Sequence, residues 1–350
     1  MADGQNGYGD EVTSVVDWDA AAAIAGRLAR PGPVADGATL ARLVHDLRQA
    51  AGTAAEHVAQ ISGLRPADGR EPAQVSAVHV VDRPRWAKAN TQMFAALAGG
   101  LTPPSRAARG ATAAEVGAVL ALLAGKVIGQ FDPYTQAEGG PGRLLLVAPN
   151  VLSVERTLGV DPADFRLWVA LHEQTHALQF AAAPWLADHL RGRIDTLTQD
   201  LVPDGQAAEL VRRVLAALRD VADTGLLALL SDDQRAVFDE VSAVMALLEG
   251  HADVMMDEVG PTVVPTVEAI RAQFERRRDA GAAVRGPARV VRLLLGLDLK
   301  LAQYREGAGF VRTVRGQVGL DGLNAVWTSP DTLPTPAEIA DPAAWVARVH

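Results

Sequence analysis

The sequence has no cysteine among its 350 residues, which excludes both disulfide bonds and cysteine-ligated zinc sites. It also has no apolar run of the roughly 18 residues that a membrane-spanning helix needs. The best such run, around 116–125, is closed by Lys126. The N-terminus lacks the basic segment followed by an apolar one that marks a signal peptide. These absences predict a soluble cytoplasmic protein without a membrane partner.

The sequence also has fewer basic residues than acidic ones. Asp and Glu total 42 against 33 Lys and Arg, which gives a net charge of −9 and argues against nucleic acid as the main partner. A hydrophobic content of 49% with 21% charged residues is ordinary for a folded globular chain. We expect a disordered tail over residues 1–14 and a single unit over 15–350, with a helical part at 15–130 and a catalytic part at 131–350.

Helical periodicity dominates the chain, and strand patterns are few. The clearest strand is 143–148, a short apolar run between Gly142 and Pro149. Pro149 has no backbone donor and favours an edge position for this strand, and Gln74–Val81 is a second candidate strand. The fold class is therefore mostly α (α+β), with a small β-sheet. Helices are predicted at 17–30, 37–50, 51–62, 85–98, 111–129, 162–182, 184–203, 206–223, 232–259, 263–280, 287–306, 309–318 and 341–349, with loop from 327 to 342.

The most informative motif is His-Glu-Gln-Thr-His at residues 172–176. Histidines four residues apart project from one face of a helix, so both imidazoles can share a metal ion. Glu173 points beside that face and could take a proton from a metal-activated water without being a ligand. Asp161 as N-cap, Pro162 at the first position and Pro184 as a stop predict a helix over about 162–182. This arrangement is the H-E-x-x-H signature of zinc-dependent peptidases.

A catalytic zinc site needs a third protein ligand, which the motif itself does not supply. The third-histidine pattern fails because Gln179 and Ala182 occupy the positions where that pattern requires glycine and histidine. The other solution is a glutamate from a later helix, and Glu249 with Asp253 four residues on fits it, between apolar flanks. We expect Glu249 to bind the metal and Asp253 to orient a ligating imidazole through its free N–H.

Other residues remain candidates for parts of the site. Asp188 or His189, just after the motif helix, could replace Glu249 as third ligand. A donor that stabilises the oxyanion is also needed, and the candidates are Tyr304, His251 and Arg305. Tyr304 is our choice, although a tyrosine that covers the core with its hydroxyl at the rim is an equally open interpretation.

The strand at 143–148 suggests how a substrate could bind. An extended peptide can add a strand to a free sheet edge, which would make Leu146 and Ala148 substrate-binding positions. A purely structural strand is the alternative. The basic run 276–278 is interpreted as a solvated helix face, or alternatively as a patch that steers acidic substrates.

The chain resembles the zincin-like metallopeptidases (type 2) of actinobacteria and related bacteria. Many of these are labelled as associated with biosynthesis of the deazaflavin coenzyme. The resemblance implies a zincin-like fold with His172, His176 and Glu249 as ligands of one Zn2+ per chain and Glu173 as catalytic base. The matching segments are Gly129–Asp132, Leu144–Asn150, Phe165–Val169 leading into His172–His176, Gln179–Phe180, Pro184–Leu186, Leu247–Asp253 and Lys300–Tyr304.

Three functions fit these observations. The first is an active zinc metallopeptidase that hydrolyses a peptide or protein substrate. The second is a catalytically silent zincin-like scaffold that binds metal or a partner, and the third is a zinc hydrolase of a non-peptide amide in cofactor metabolism. Glu173 favours the first, because a scaffold under no catalytic demand would not need that residue.

Overall fold

The computed structural model describes residues 16–97, 106–136, 140–201, 231–282 and 297–350. The predicted tail at 1–14, the predicted helix at 206–223 and the first part of the one at 287–306 lie outside these ranges. Within them the protein is mostly helical with a small three-stranded sheet, which confirms the predicted fold class. None of the described helices combines the length and apolarity that crossing a membrane requires.

The N-terminal part begins with helices α1 (Trp18–Leu28) and α2 (Gly37–Ser62). Asp36 caps α2 by accepting from Thr39 N–H, and Gly63 ends it in the left-handed conformation. Two helices were predicted over this span, but the structure has a single helix of 26 residues. The interior Gly52 does not break it, because one helical glycine costs only about 1 kcal/mol. Strand β1 (Ser76–Val81) and helices α3 (Arg83–Leu97) and α4 (Arg106–Leu123) follow.

The sheet is completed by strands β2 (Gly129–Asp132) and β3 (Gly142–Val147), in the order β1-β3-β2. The middle strand β3 pairs parallel with β1 and antiparallel with β2. Its consecutive residues Leu144 to Val147 are all buried, which explains why the strand is a continuous apolar run.

Two sequence predictions about the sheet were wrong. The strand at 143–148 was expected at an edge, but β3 is central, and Pro149 belongs to the first turn of helix α5 (Ala148–Leu158), where no N–H is needed. Strand β2 was missed because the predicted helix at 111–129 ran into it. A four-residue strand without an apolar alternation gives little local signal.

The remaining elements are helical. The chain continues through α6 (Pro162–Ala182), α7 (Trp185–Leu201), α8 (Asp232–Glu258), α9 (Gly260–Val263), α10 (Val267–Ala282), α11 (Leu297–Asn324, with a break at Gly319), α12 (Pro336–Ala340) and α13 (Pro342–Val349). Helix α6 packs between α2 on one side and α8 on the other, and α8 packs along α11. The boundary predicted at 130/131 falls inside β2, so strands and helices from both predicted parts share the core around α6.

Candidate metal centre

Helix α6 carries the His-Glu-x-x-His motif in its middle. Asp161 Oδ1 accepts from the N–H groups of Ala163 and Asp164 at 2.9 and 3.0 Å, and the observed helix has the predicted bounds. Because the motif is far from both ends, regular helical geometry holds His172 and His176 on one face. Their rings meet edge to face, with centroids 4.7 Å apart.

Glu249 comes from α8, and a close helix crossing sets its position. A Cβ atom added to Gly250 would lie 2.1 Å from the carbonyl carbon of Gly307 on α11, and one added to Gly307 would lie 1.9 Å from Ala246 O. The two backbones therefore touch directly next to Glu249, and no residue larger than glycine fits at the crossing. The crossing fixes α8 at the height where Glu249 reaches the two histidines.

Three ligand atoms converge between α6 and α8. The Nε2 atoms of His172 and His176 are 3.1 Å apart, and Glu249 Oε2 lies 3.3 Å from the first and 3.7 Å from the second. Ligand atoms at about 2.0–2.1 Å from a tetrahedral zinc ion are separated by about 3.4 Å. Among the described residues these three could hold a metal ion, and the spacing of their atoms fits zinc.

The imidazole of His176 is held by a buried chain of hydrogen bonds. Gln179 Nε2 donates to Leu248 O at 2.9 Å and to His251 Nδ1 at 3.0 Å. The amide orientation is thereby fixed, and Gln179 Oε1 must accept from His176 Nδ1–H at 3.0 Å. The proton on Nδ1 leaves the Nε2 lone pair of His176 free to face the centre of the site.

The imidazole of His172 has a weaker partner. Its Nδ1 lies 3.2 Å from the sulfur of Met256, which can accept but cannot donate, so the proton is again on Nδ1. Two imidazole lone pairs and the carboxylate oxygen of Glu249 then point at one another. Such an arrangement is repulsive unless a positive charge sits among them, and either a proton or a metal ion meets that need.

The charges of the site agree with this requirement. Although burial lowers it, the pKa of His176 is raised to about 9 by the hydrogen bond and negative charge of Glu249. Burial raises the pKa of the Glu249 carboxyl, but the hydrogen bonds and charges of the two histidines hold this pKa well below the ordinary value. Without metal the site keeps a proton, and a divalent ion must displace it to bind.

Glu173 borders the triad without belonging to it. Its side chain is buried, with 6% exposed, and burial together with the charge of Glu249 raises its pKa, against the effect of His172 and His176. Strand β2 reaches this carboxylate only because Gly129 has no side chain: a Cβ there would lie 2.4 Å from Glu173 Oε1. Glu173 is thus a buried carboxyl group between β2 and the candidate metal ligands.

Two further predictions about the site were wrong. Asp253 does not orient an imidazole, because its Oδ1 accepts from Arg271 Nη1 at 2.9 Å and the free N–H of His172 faces Met256 instead. Leu146 and Ala148 do not bind substrate by strand addition. Both edges of β3 are occupied by neighbouring strands, and both residues are buried.

The remaining candidates lie apart from the triad or outside the described side chains. The group of potential ligands found in the described residues includes neither Asp188 nor His189, and the His189 ring packs on Trp185. His251, one of the three candidates for the oxyanion donor, is fully buried behind Gln179 and contacts its amide instead. The side chains of Tyr304 and Arg305 lie outside the described part of α11, and Tyr304 stays a prediction.

Three residues around the triad were missed as functional positions. Gln179 was considered as a failed third-histidine position and as part of a segment that carries the family resemblance, but not as a partner of His176, although its spacing of three from His176 places it on the same helical face. Met256 is two helical turns after Glu249, a spacing that also marks a shared face. Gly129 gave no signal of its own, because the approach of β2 to α6 is a tertiary contact.

The chain matches the model of the zincin-like metallopeptidase family over residues 16–346. It is also similar to the solved "Crystal structure of a putative hydrolase with a novel fold from Chloroflexus aurantiacus", with 31% identity and a TM-score of 0.64. That similarity covers 95% of this chain and 98% of the other, while no curated protein matches the chain. Together with the convergent triad, the matches indicate a metal-dependent hydrolase. The chain belongs to the zincin-like metallopeptidase family.

Proposed function

We propose that the protein is a zinc-dependent metallopeptidase in which His172, His176 and Glu249 hold one zinc ion and Glu173 is the general base. The observation that carries this proposal is the convergence of two imidazole nitrogens and one carboxylate oxygen within 3.7 Å of one another. Two histidines and a glutamate are a ligand set that catalytic zinc sites use, and a fourth position stays available for water or substrate.

The chemistry is divided between the metal and Glu173. A bound zinc ion would supply Lewis acidity, which polarises the substrate carbonyl and acidifies a water molecule. Glu173 accepts the proton of the attacking water and returns it to the leaving amine, since its carboxylate lies beside the triad and is not a ligand. Its raised pKa brings the carboxyl closer to the range where it can both take and give a proton.

The main chain of a peptide has a place to bind at the free edge of β2. Val147 N–H donates to Ile128 O at 2.9 Å, and hydrogen-bonded pairs alternate along an antiparallel ladder. In the register of β2 on β3, Gly129 and Phe131 therefore direct their N–H and C=O groups away from the sheet. An extended peptide added there would pass Gly129 and reach the carboxylate of Glu173.

Two observations favour peptide hydrolysis over the other two functions. A silent scaffold would have no use for Glu173, whose burial next to the negatively charged Glu249 is unfavourable. A hydrolase of a small non-peptide amide would not need the free edge of β2 beside the site. A digestion experiment distinguishes the peptidase from both alternatives, because neither a silent scaffold nor a hydrolase of small amides is expected to cleave peptides.

The test combines metal analysis with digestion of a peptide library. We expect about one zinc ion per chain in the purified protein, and cleavage by the wild type that is lost in Glu173→Ala with the zinc content unchanged. Affinity alone does not select zinc over other divalent ions, so the metal content is measured for several metals.

Each negative result has a separate meaning. A folded protein that takes up no metal would overturn the assignment of the three ligands. Equal cleavage by the wild type and Glu173→Ala would show that Glu173 is not the base. Zinc-loaded wild type that cleaves no peptide would favour the scaffold, unless it released the amine from small amide substrates.

A further inference from the structure

Two partly exposed phenylalanines lie side by side next to the candidate metal centre. The rings of Phe131 on β2 and Phe180 on α6 have centroids 5.7 Å apart and are tilted by 39°. Phe180 comes four residues after His176, so it continues the helical face that carries both metal-facing histidines. Both residues are partly exposed while they also pack against the core, and Phe180 lies one helical turn from His176.

The alternation of side chains along β2 points Phe131 to the same side as the catalytic groups. Gly129 faces Glu173, and Gln130 faces α3, where its Oε1 accepts from Trp86 Nε1 at 2.8 Å. Phe131 then faces α6 again and meets Phe180. The face of β2 that approaches Glu173 therefore continues directly into the aromatic pair.

The ring of Phe131 packs over Gly142 of the neighbouring strand β3. A Cβ atom added to Gly142 on β3 would lie 2.3 Å from Phe131 Cζ. The ring therefore occupies the space that a side chain at Gly142 would fill, with Phe180 at its side. Such a fixed aromatic surface can bind an apolar group at a small cost in conformational entropy.

We propose that Phe131 and Phe180 are the specificity-determining residues of the site and select substrates with an apolar, preferably aromatic, side chain. This inference rests on the proposed peptidase function and on binding at the β2 edge. A peptide residue opposite Phe131 presents its side chain to the same face, where cross-strand apolar pairs stabilise binding. The residue opposite Gly129, about 7 Å along the peptide, lies beside Glu173.

A position-by-position peptide library tests the proposal. We expect the zinc-loaded wild type to prefer Phe, Tyr, Leu or Met at one position about two residues from the cleaved bond, by about tenfold or more in kcat/KM. Phe180→Ala should weaken that preference, and Phe180→Arg should convert it into a preference for Asp or Glu at the same position. Phe94→Ala, which removes an exposed phenylalanine of α3, is the matched control and should leave the profile unchanged.

Binding to a variant that cannot cleave separates this inference from the proposed function. Fluorescence anisotropy with zinc-loaded Glu173→Ala should show tighter binding of labelled peptides with an apolar residue at that position than of peptides with Ser or Asp there. Apolar selectivity in binding without cleavage by the wild type would support the aromatic site and overturn the peptidase proposal. Three results would overturn the aromatic site. The first is cleavage without a preference at any position, and the second is a preference that Phe180→Arg does not alter. The third is the absence of both selective binding and cleavage.

Discussion

The two histidines of the candidate metal centre differ in what holds them. His176, with 13% of its side chain exposed, is fixed by Gln179, which is itself held by Leu248 and His251 in the core. His172 is 27% exposed and has a thioether as its partner. We call these the buried side and the open side of the site. The buried side includes the crossing of α8 and α11. The open side includes β2 and Glu173, whose own side chain is buried but lies against this edge strand.

The difference suggests a division of labour. The buried side combines strong amide hydrogen bonds with backbone contacts, so we expect it to set the stability of the fold and the affinity for metal. The open side combines a weak acceptor with the groups that act on the substrate in the proposed mechanism, and we expect it to set turnover. Variants that change one side at a time test this division.

Gly250→Ala should have the largest effect, because it forces apart two helices whose backbones touch at this residue. We expect a loss of about 3 kcal/mol or more in the free energy of unfolding, together with lower zinc affinity as Glu249 moves. Urea unfolding of the wild type and of Gly250→Ala measures the difference in the free energy of unfolding. Gly309→Ala on α11, where an added Cβ meets nothing within 4 Å, is the control and should be neutral or stabilising. Equal stability of the two variants would show that the crossing is not tight.

Gly129→Ala should damage turnover while the fold stays intact. The added methyl group overlaps the Glu173 side chain from Cγ to Oε1, so the carboxylate has to move from its present position. A displaced carboxylate at the proposed general base is expected to lower kcat about a hundredfold, with about 1–3 kcal/mol lost in the free energy of unfolding because a buried side chain must move.

A double mutant isolates the cause of the loss in Gly129→Ala. If the effect acts through Glu173, the combination of Gly129→Ala with Glu173→Ala should be no slower than Glu173→Ala alone. A double mutant that is slower by the full hundredfold would place the damage in β2 itself, for example in peptide binding.

Sequence reasoning predicted the elements whose determinants are local. The bounds of α6 follow from Asp161, Pro162 and Pro184, all within a few residues of the helix ends, and the observed helix is Pro162–Ala182. The two histidines are brought together by helical spacing alone. Glu249 could be predicted from the sequence because its apolar flanks indicate a buried acidic residue.

The errors concern choices made between distant segments. That β3 is central depends on β1 and β2 pairing at its two edges, and no residue within 143–148 encodes this. Asp253 was expected to orient a ligating imidazole, but its carboxylate accepts a hydrogen bond from Arg271 of α10 instead. The order of strands and the choice among nearby acceptors are tertiary outcomes, so local patterns could not decide them.

Gln179→Leu should weaken zinc binding from the buried side. The change removes the acceptor that fixes the His176 tautomer, and loss of such a partner typically costs 10- to 100-fold in metal affinity. A competition titration against a chromophoric chelator measures it. The matched control is Gln174→Leu, which removes an equally buried glutamine of α6 that binds Ser76 and the carbonyl of Ala51. Both variants should lose stability, but only Gln179→Leu should lose zinc affinity, and a similar loss in the control would mean a general loosening of α6.

Met256→Leu should have the smallest effect and is the direct test of the open side. A thioether is a weak acceptor, so its removal should change zinc affinity by less than about tenfold, below the range expected for a strong hydrogen-bonding partner. A swap of similar volume should also cost less than about 1.5 kcal/mol of stability, and Met255→Leu at the neighbouring buried position controls for packing. A drop in affinity as large as that of Gln179→Leu would remove the distinction between the two sides, because His172 would then depend on its sulfur partner as strongly as His176 depends on its amide. A small drop would mean that the position of His172 is set mainly by α6 and by the metal.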